Sequence, residues 1–210
     1  MRVTELATPA PSPTPWARPC LRTRDGDVLH LDVDRWMAAP AGGEQELLAR
    51  SVGPVLDIGC GPGRHVVALG QRGVMALGVD IAPAAVHLAR SRGALVLERS
   101  VFDRVPGAGR WATALLVDGN VGIGGDPASL LGRVATLLRP GGRTLVEVGG
   151  PGTDTAGLDV RVERGALYGG WFPWAVVSVD DVGDLVRGTG LQASDSWAEE
   201  GRWFVCLDRP

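Results

Sequence analysis

Val55-Leu56-Asp57-Ile58-Gly59-Cys60-Gly61-Pro62-Gly63-Arg64-His65 is the stretch on which the fold turns. Its first four residues read as a short buried strand carrying one acid. A turn with three alternating glycines follows, and then a helix with Val66, Val67 and Leu69 inward. Gly59 and Gly61 let the backbone turn tightly and let a ligand approach the main chain closely. The helix start beyond supplies N–H groups with no partner of their own. A dinucleotide fingerprint would place its third glycine at position 64. Here position 64 is Arg, the third glycine is Gly63 and Pro62 intervenes. Asp57 is poorly placed for a diphosphate and well placed for an ammonium.

Working outward, Val74–Val79 is a second strand that runs into Asp80. An acid at the end of a second strand can accept both hydroxyls of a ribose lying across the strand ends. A ligand with an amino-acid-like cationic end and a ribose is therefore expected, and S-adenosylmethionine (SAM) has both. Strands and helices then alternate, the pattern of an α/β domain. Ala82–Arg92 reads as a helix burying Val86 and Leu88, with strands at Ala94–Leu97 and Ala114–Val117. Asp126-Pro127 opens a helix that lines up Leu130, Leu131, Val134, Leu137 and Leu138, ended by Pro140-Gly141-Gly142. Thr144–Val148 is a fifth strand. Beyond it, Val160–Val162 and Ala175–Val177 could pair around the aromatic loop Tyr168–Trp174. Ser178 and Asp181 form a capping box for a helix through Val182, Leu185 and Val186. Strands near Leu191–Trp197 and Trp203–Leu207 suggest a closing antiparallel hairpin.

On the other side, residues 1–19 are Pro-, Ala- and Thr-rich and read as a flexible tail. Residues 20–52 form an N-terminal cap segment: Asp25-Gly26-Asp27 turns between two short strands, and Glu44–Arg50 is a short helix. The 210 residues suit one domain, and a 45% hydrophobic content supports a sizeable core. The 21 basic residues against 24 acidic ones give a net charge of −3, which argues against nucleic acid or anionic lipid as partner. All basic residues are Arg, so a phosphate-loop Lys, a pyridoxal Schiff base and a Lys general base are excluded. No apolar run approaches the ~20 residues of a membrane span, and no signal peptide opens the chain, so a cytoplasmic protein is expected. The Ala, Gly, Val and Arg skew suggests a bacterial source. Three scattered cysteines make neither a disulfide framework nor a zinc site, and no metal is expected.

The quoted segment, Gly78-Val79-Asp80 and Leu137-Leu138-Arg139-Pro140-Gly141-Gly142 together resemble three motifs of the class I SAM-dependent methyltransferases. The resemblance covers Gly53–Val148. It implies a three-layer Rossmann-like α/β fold, with a seven-stranded, mostly parallel sheet and a reversed last strand. Residues 53–210 would form the SAM-binding domain, in which 150–177 could be an aromatic lid insertion. Carried over by position, Asp57, Gly59, Cys60 and Gly61 would face the methionine part of the cofactor and Asp80 the ribose. Ile81 would lie beside them, and Val101 and Phe102 fall where the family contacts adenine. Ser100 stands where the family often has an acid, a contact that Asp103 can take over, and Trp111-Ala112 replaces a usual Phe-Asp. Asp118 and the loop through Asn120 to Gly125 would border the sulfonium. Asp118 thus counts as a cofactor contact, and Asp118 and Asn120 as groups positioning the acceptor.

The implied activity is methyl transfer to a small-molecule acceptor at nitrogen or oxygen, mostly apolar and held by Trp36 and the Trp171–Trp174 segment. No His-Asp or Lys-centred constellation offers a general base, and His65 is expected to pack or face solvent. A non-catalytic SAM-binding module is the rival reading. A nicotinamide oxidoreductase is disfavoured by Arg64 and by the missing Tyr-x-x-x-Lys pair.

Overall fold

The computed structural model describes residues 18–210. Most of the tail read at 1–19 therefore lies outside the described residues. A seven-stranded sheet forms the centre. In spatial order it runs β11 (Gln192–Glu199), β12 (Arg202–Asp208), β7 (Leu138–Val148), β6 (Trp111–Leu116), β3 (Val55–Ile58), β4 (Ala76–Asp80) and β5 (Val96–Glu98). The five strands from β7 to β5 are parallel, and β12 runs against both β7 and β11. This is the expected fold, reversed last strand included.

β3 and β6 are buried at every position, as parallel strands covered on both faces must be. The side-chain alternation of the strands sorts two apolar layers. Leu56, Ile58, Ala114, Leu116 and Val146 face α5 (Pro127–Leu137) through Leu130, Leu131 and Val134. Val55, Leu115, Leu145 and Phe204 face α2 (Glu44–Arg50), α3 (Arg64–Gln71) and α4 (Pro83–Ser91) through Leu47, Leu69, Val86 and Ala89. At the start of α5 the Asp126 carboxylate accepts the Ser129 N–H at 3.0 Å, and Pro127 occupies the first turn.

Several boundaries differ from the sequence reading. Leu138 opens β7 instead of closing α5, because its N–H already caps the helix on Val134 O while its own backbone is extended. The expected stop at Gly141-Gly142 lies inside β7, where Gly141 has φ +69° and the chain exchanges hydrogen bonds with Arg209. On α4 the buried residue beside Val86 is Ala89, and Leu88 is half-buried. The helix after Ser178 shrinks to a 3-10 turn and α6 (Val182–Leu185), with Ser178 Oγ accepting from Asp180 N.

The largest unforeseen feature is a second sheet. The N-terminal hairpin β1 (Cys20–Thr23) and β2 (Val28–His30) forms as expected. β8 (Ala156–Arg164) and β10 (Phe172–Val176) also pair, but Phe172–Trp174, read as loop, belong to β10, Val177 lies outside it, and β9 (Leu167–Tyr168) lies beside β8. These two segments join into one antiparallel sheet, ordered β10-β8-β1-β2. Cap and insertion are thus one structure. α1 (Val33–Met37) leads from it back to α2. Among the described residues no helix is long and apolar enough to cross a membrane.

Candidate active site

Gly59, Gly61 and Gly63 all have left-handed backbones, with φ of +69°, +52° and +77°. Each glycine has a different neighbourhood. A Cβ on Gly63 would press on Ala94 and Ala89, so this glycine lets α3 and α4 approach. A Cβ on Gly59 would fall 2.7 Å from the Asn120 amide nitrogen. Above Gly61 there is open space. The N–H of Gly61 donates to Asp80 Oδ2 and that of Ala82 to Asp80 Oδ1, each at 2.8 Å, so Asp80 ties the glycine turn to the start of α4.

Ile81, the residue after β4, is 73% exposed, and Phe102, four residues past β5 and against Gly124, is 47% exposed. Val101 is instead part of the core, and its carbonyl accepts from Arg133 Nε at 2.9 Å. Cys60 turns its thiol beneath Gly78, where burial pushes its pKa up, and the thiol also donates to the Gly61 carbonyl at 3.8 Å. Asp57 lies 1% exposed under the turn. Its Oδ2 has no hydrogen-bond partner, and the nearest His65 nitrogen is 3.8 Å away. Burial pushes the Asp57 carboxyl up to about 6, against the opposing pull of His65.

The strand β6 delivers Asp118, a non-glycine residue held at φ +60°. Its N–H donates to Glu147 Oε2 at 2.6 Å. Its carboxylate accepts from Arg35 at 2.9 Å, Arg64 at 2.6 Å and Arg202 at 3.2 Å. Arg64 and Arg202 also bind Glu44, and Arg202 binds Glu147 through two nitrogens, at 2.8 and 2.6 Å. Three guanidiniums and three carboxylates from six segments thus close on one another. Burial disfavours the charged form of Glu44, yet His65, Arg202 and Arg64 outweigh it and hold the carboxyl far below the usual range. Asn120 donates from Nδ2 to the Ile58 and Gly59 carbonyls, at 2.9 Å each, and so ties the loop after β6 to the glycine turn.

The Asp118 carboxylate and the Asn120 Nδ2 are therefore engaged by the protein itself. Glu44, Arg35 and Arg202 were not singled out in the sequence. Glu44 was legible: with Leu47 and Leu48 it occupies the i, i+3, i+4 face of α2, which is buried. Arg202 gave no such signal, since an Arg at a hairpin mouth usually faces water.

The second sheet closes the side. At Gly122 a Cβ would lie 2.1 Å from the Ala175 carbonyl and 2.8 Å from Trp174 Nε1, and at Gly125 it would meet Pro173. β10 thereby lies directly on the loop, with Trp174 beside Gly119 and its ring edge-on to Phe172. Trp171 points elsewhere, stacked between Arg24 and Arg161.

Residues 55–142 match the family described as "Methyltransferase domain". Among solved structures, a SAM-dependent methyltransferase from Bacteroides fragilis in complex with S-adenosyl-L-homocysteine is similar with TM-score 0.74 and 22% identity, over 90% of this chain and 86% of that one. An amino pentose methyltransferase from Micromonospora echinaspora, bound to SAM, is similar with TM-score 0.60 and 17% identity, over 88% of this chain and 99% of that one. The 1,6-didemethyltoxoflavin-N1-methyltransferase of Burkholderia thailandensis is similar with TM-score 0.55 and 21% identity, over 79% and 74% of the two chains. The matched segment carries a methyltransferase domain, and the order and sense of the seven strands are those of the Rossmann-like fold of SAM-dependent methyltransferases.

Proposed function

We propose that the protein uses SAM to methylate a small molecule at a nitrogen, or at an oxygen acidic enough to ionise unaided. The observation that carries this reading is the buried acid Asp57, with one oxygen unpartnered, beneath a glycine turn that has open space above Gly61. An acid so placed suits an ammonium, and a backbone without side chains admits close approach. Asp80 stands at the end of β4 for ribose hydroxyls, exchanging its two backbone N–H partners for them. Ile81 and Phe102 offer exposed apolar surface for adenine, with Val101 contributing backbone alone. When bound, SAM supplies a methyl group already activated on a sulfonium, so transfer needs alignment and exclusion of water more than covalent help.

The acceptor side favours an apolar body. Trp174 lies beside Gly119 with Phe172 edge-on to its ring, and Trp36 comes from the same α1 that sends Arg35 to Asp118. Asp118, Glu147 and Glu44 are each held by arginines, so none is free to take a proton from the acceptor. Amine nitrogen fits that arrangement best. The similar amino pentose methyltransferase and 1,6-didemethyltoxoflavin-N1-methyltransferase, both named for small molecules, agree with this class of acceptor. The same reading places the protein in a bacterial cytoplasm, without nucleic acid as substrate.

The test is calorimetric titration with S-adenosylhomocysteine and with NAD, followed by transfer of a labelled methyl group to a panel of amines and phenols. Binding of the first ligand, and methylated amines above phenols, supports the reading. Tight NAD binding without S-adenosylhomocysteine binding overturns it.

A further inference from the structure

His65 is 3% exposed and stands between two buried acids on different elements. Its Nδ1 lies 3.8 Å from Asp57 Oδ2, on β3, and its Nε2 lies 3.9 Å from Glu44 Oε1, on α2. Among the described residues neither Asp57 Oδ2 nor His65 Nε2 has a hydrogen-bond partner, so the ring faces both acids at the distance of an ion pair. A neutral imidazole donates from one nitrogen and carries a lone pair on the other, so one of the two acids would face that lone pair. An imidazolium donates on both sides. The other charges around this group are Arg64 on α3, Asp118 after β6, Asp80 at the end of β4 and Arg202 on β12. The two arginines are taken up by Glu44 and Asp118, which among the described residues leaves Asp57 with no cation but His65 within 4 Å.

We infer that His65 is a positioning residue: protonated on both ring nitrogens, it bridges Glu44 and Asp57 and keeps the Asp57 carboxylate charged for the cofactor's ammonium. The bridge rests on the cofactor reading only for its purpose; its geometry stands alone. It makes α2, the helix that precedes β3 in the chain, part of the apparatus that readies the glycine turn. Burial otherwise drives Asp57 toward its neutral form, in which it has no charge to offer an ammonium.

The first measurement needs no ligand. In protein labelled with 15N-histidine, the ring resonances of His65, assigned against His65→Gln, should report both nitrogens protonated at pH 7. A neutral ring overturns the bridge. The second is calorimetry with S-adenosylhomocysteine from pH 6 to pH 8. Parent affinity should change by less than about twofold, whereas His65→Leu should bind about tenfold more weakly at pH 6 and recover as pH rises and Asp57 ionises unaided. His65→Gln, which keeps a polar side chain but no charge, should show the same slope and serves if the Leu variant does not fold. Parallel pH profiles in parent and variants overturn the positioning role. Failure of the parent to bind at any pH overturns the cofactor reading and this role with it, while the ring resonances still decide the bridge.

Discussion

Asp57 carries a cost that its proposed role toward an ammonium explains. Moving its carboxyl from 3.8 to about 6 corresponds to about 3 kcal/mol of lost stability once the group ionises. Asp57→Asn should therefore raise the melting temperature of the ligand-free protein at pH 7 while S-adenosylhomocysteine binding, followed by calorimetry, disappears. A drop in melting temperature would show that the charge is structural. Asp118 presents the opposite balance. Its left-handed backbone is a strain of about 1–3 kcal/mol, held in place by Glu147 below and three guanidiniums above. Asp118→Asn leaves those guanidiniums short of one negative charge and should destabilise the fold by about 3 kcal/mol, measured by chemical denaturation. Loss of turnover in that variant would then follow from the scaffold before any contact with an acceptor.

The glycines separate elements that need them from elements that tolerate them. Gly122→Ala would drive a methyl group into the Ala175 carbonyl, so β10 must lift off the loop, at about 1–3 kcal/mol by denaturation and with altered Trp174 fluorescence. Gly132 lies inside α5 with nothing near its absent side chain, and Gly132→Ala should stabilise by about 0.5–1 kcal/mol. The same contrast explains what the sequence could tell. The strand–glycine–helix segment, Asp80 and the Asp126-Pro127 helix start were readable because each rests on local backbone chemistry. α5 was placed to within one residue for that reason. The union of the N-terminal hairpin with β8, and the meeting of Arg35, Arg64 and Arg202 on Asp118, depend on pairings far apart in the chain. No local periodicity encodes such pairings. Asp118 and Asn120 were found as residues, while their partners, which define what they do, were not.

At the scale of the molecule, two buried acids set opposed pH dependences. Glu44, held below its usual range by His65, Arg202 and Arg64 against the cost of burial, contributes stability above about pH 4.5 that is lost as pH falls. Asp57, with its folded value raised to about 6, contributes most below about pH 4 and loses that contribution as pH rises to about 6. Thermal melting of the ligand-free protein should be highest near pH 4–5, and Asp57→Asn should flatten the fall toward pH 6. A monotonic rise from pH 4 to pH 7 in the parent would contradict this pairing. Synthesis runs from the N-terminus, and β1 emerges long before the strand it needs: Arg22 and its partner Glu163 are 141 residues apart, and Glu44 waits 158 residues for Arg202. The central parallel strands are contiguous and can be assembled while the chain is still growing; the second sheet must wait for release of the C-terminal third. In refolding experiments the burial of central Trp111 should accordingly precede that of Trp174, and a nascent chain halted before β8 should expose its hairpin to proteases.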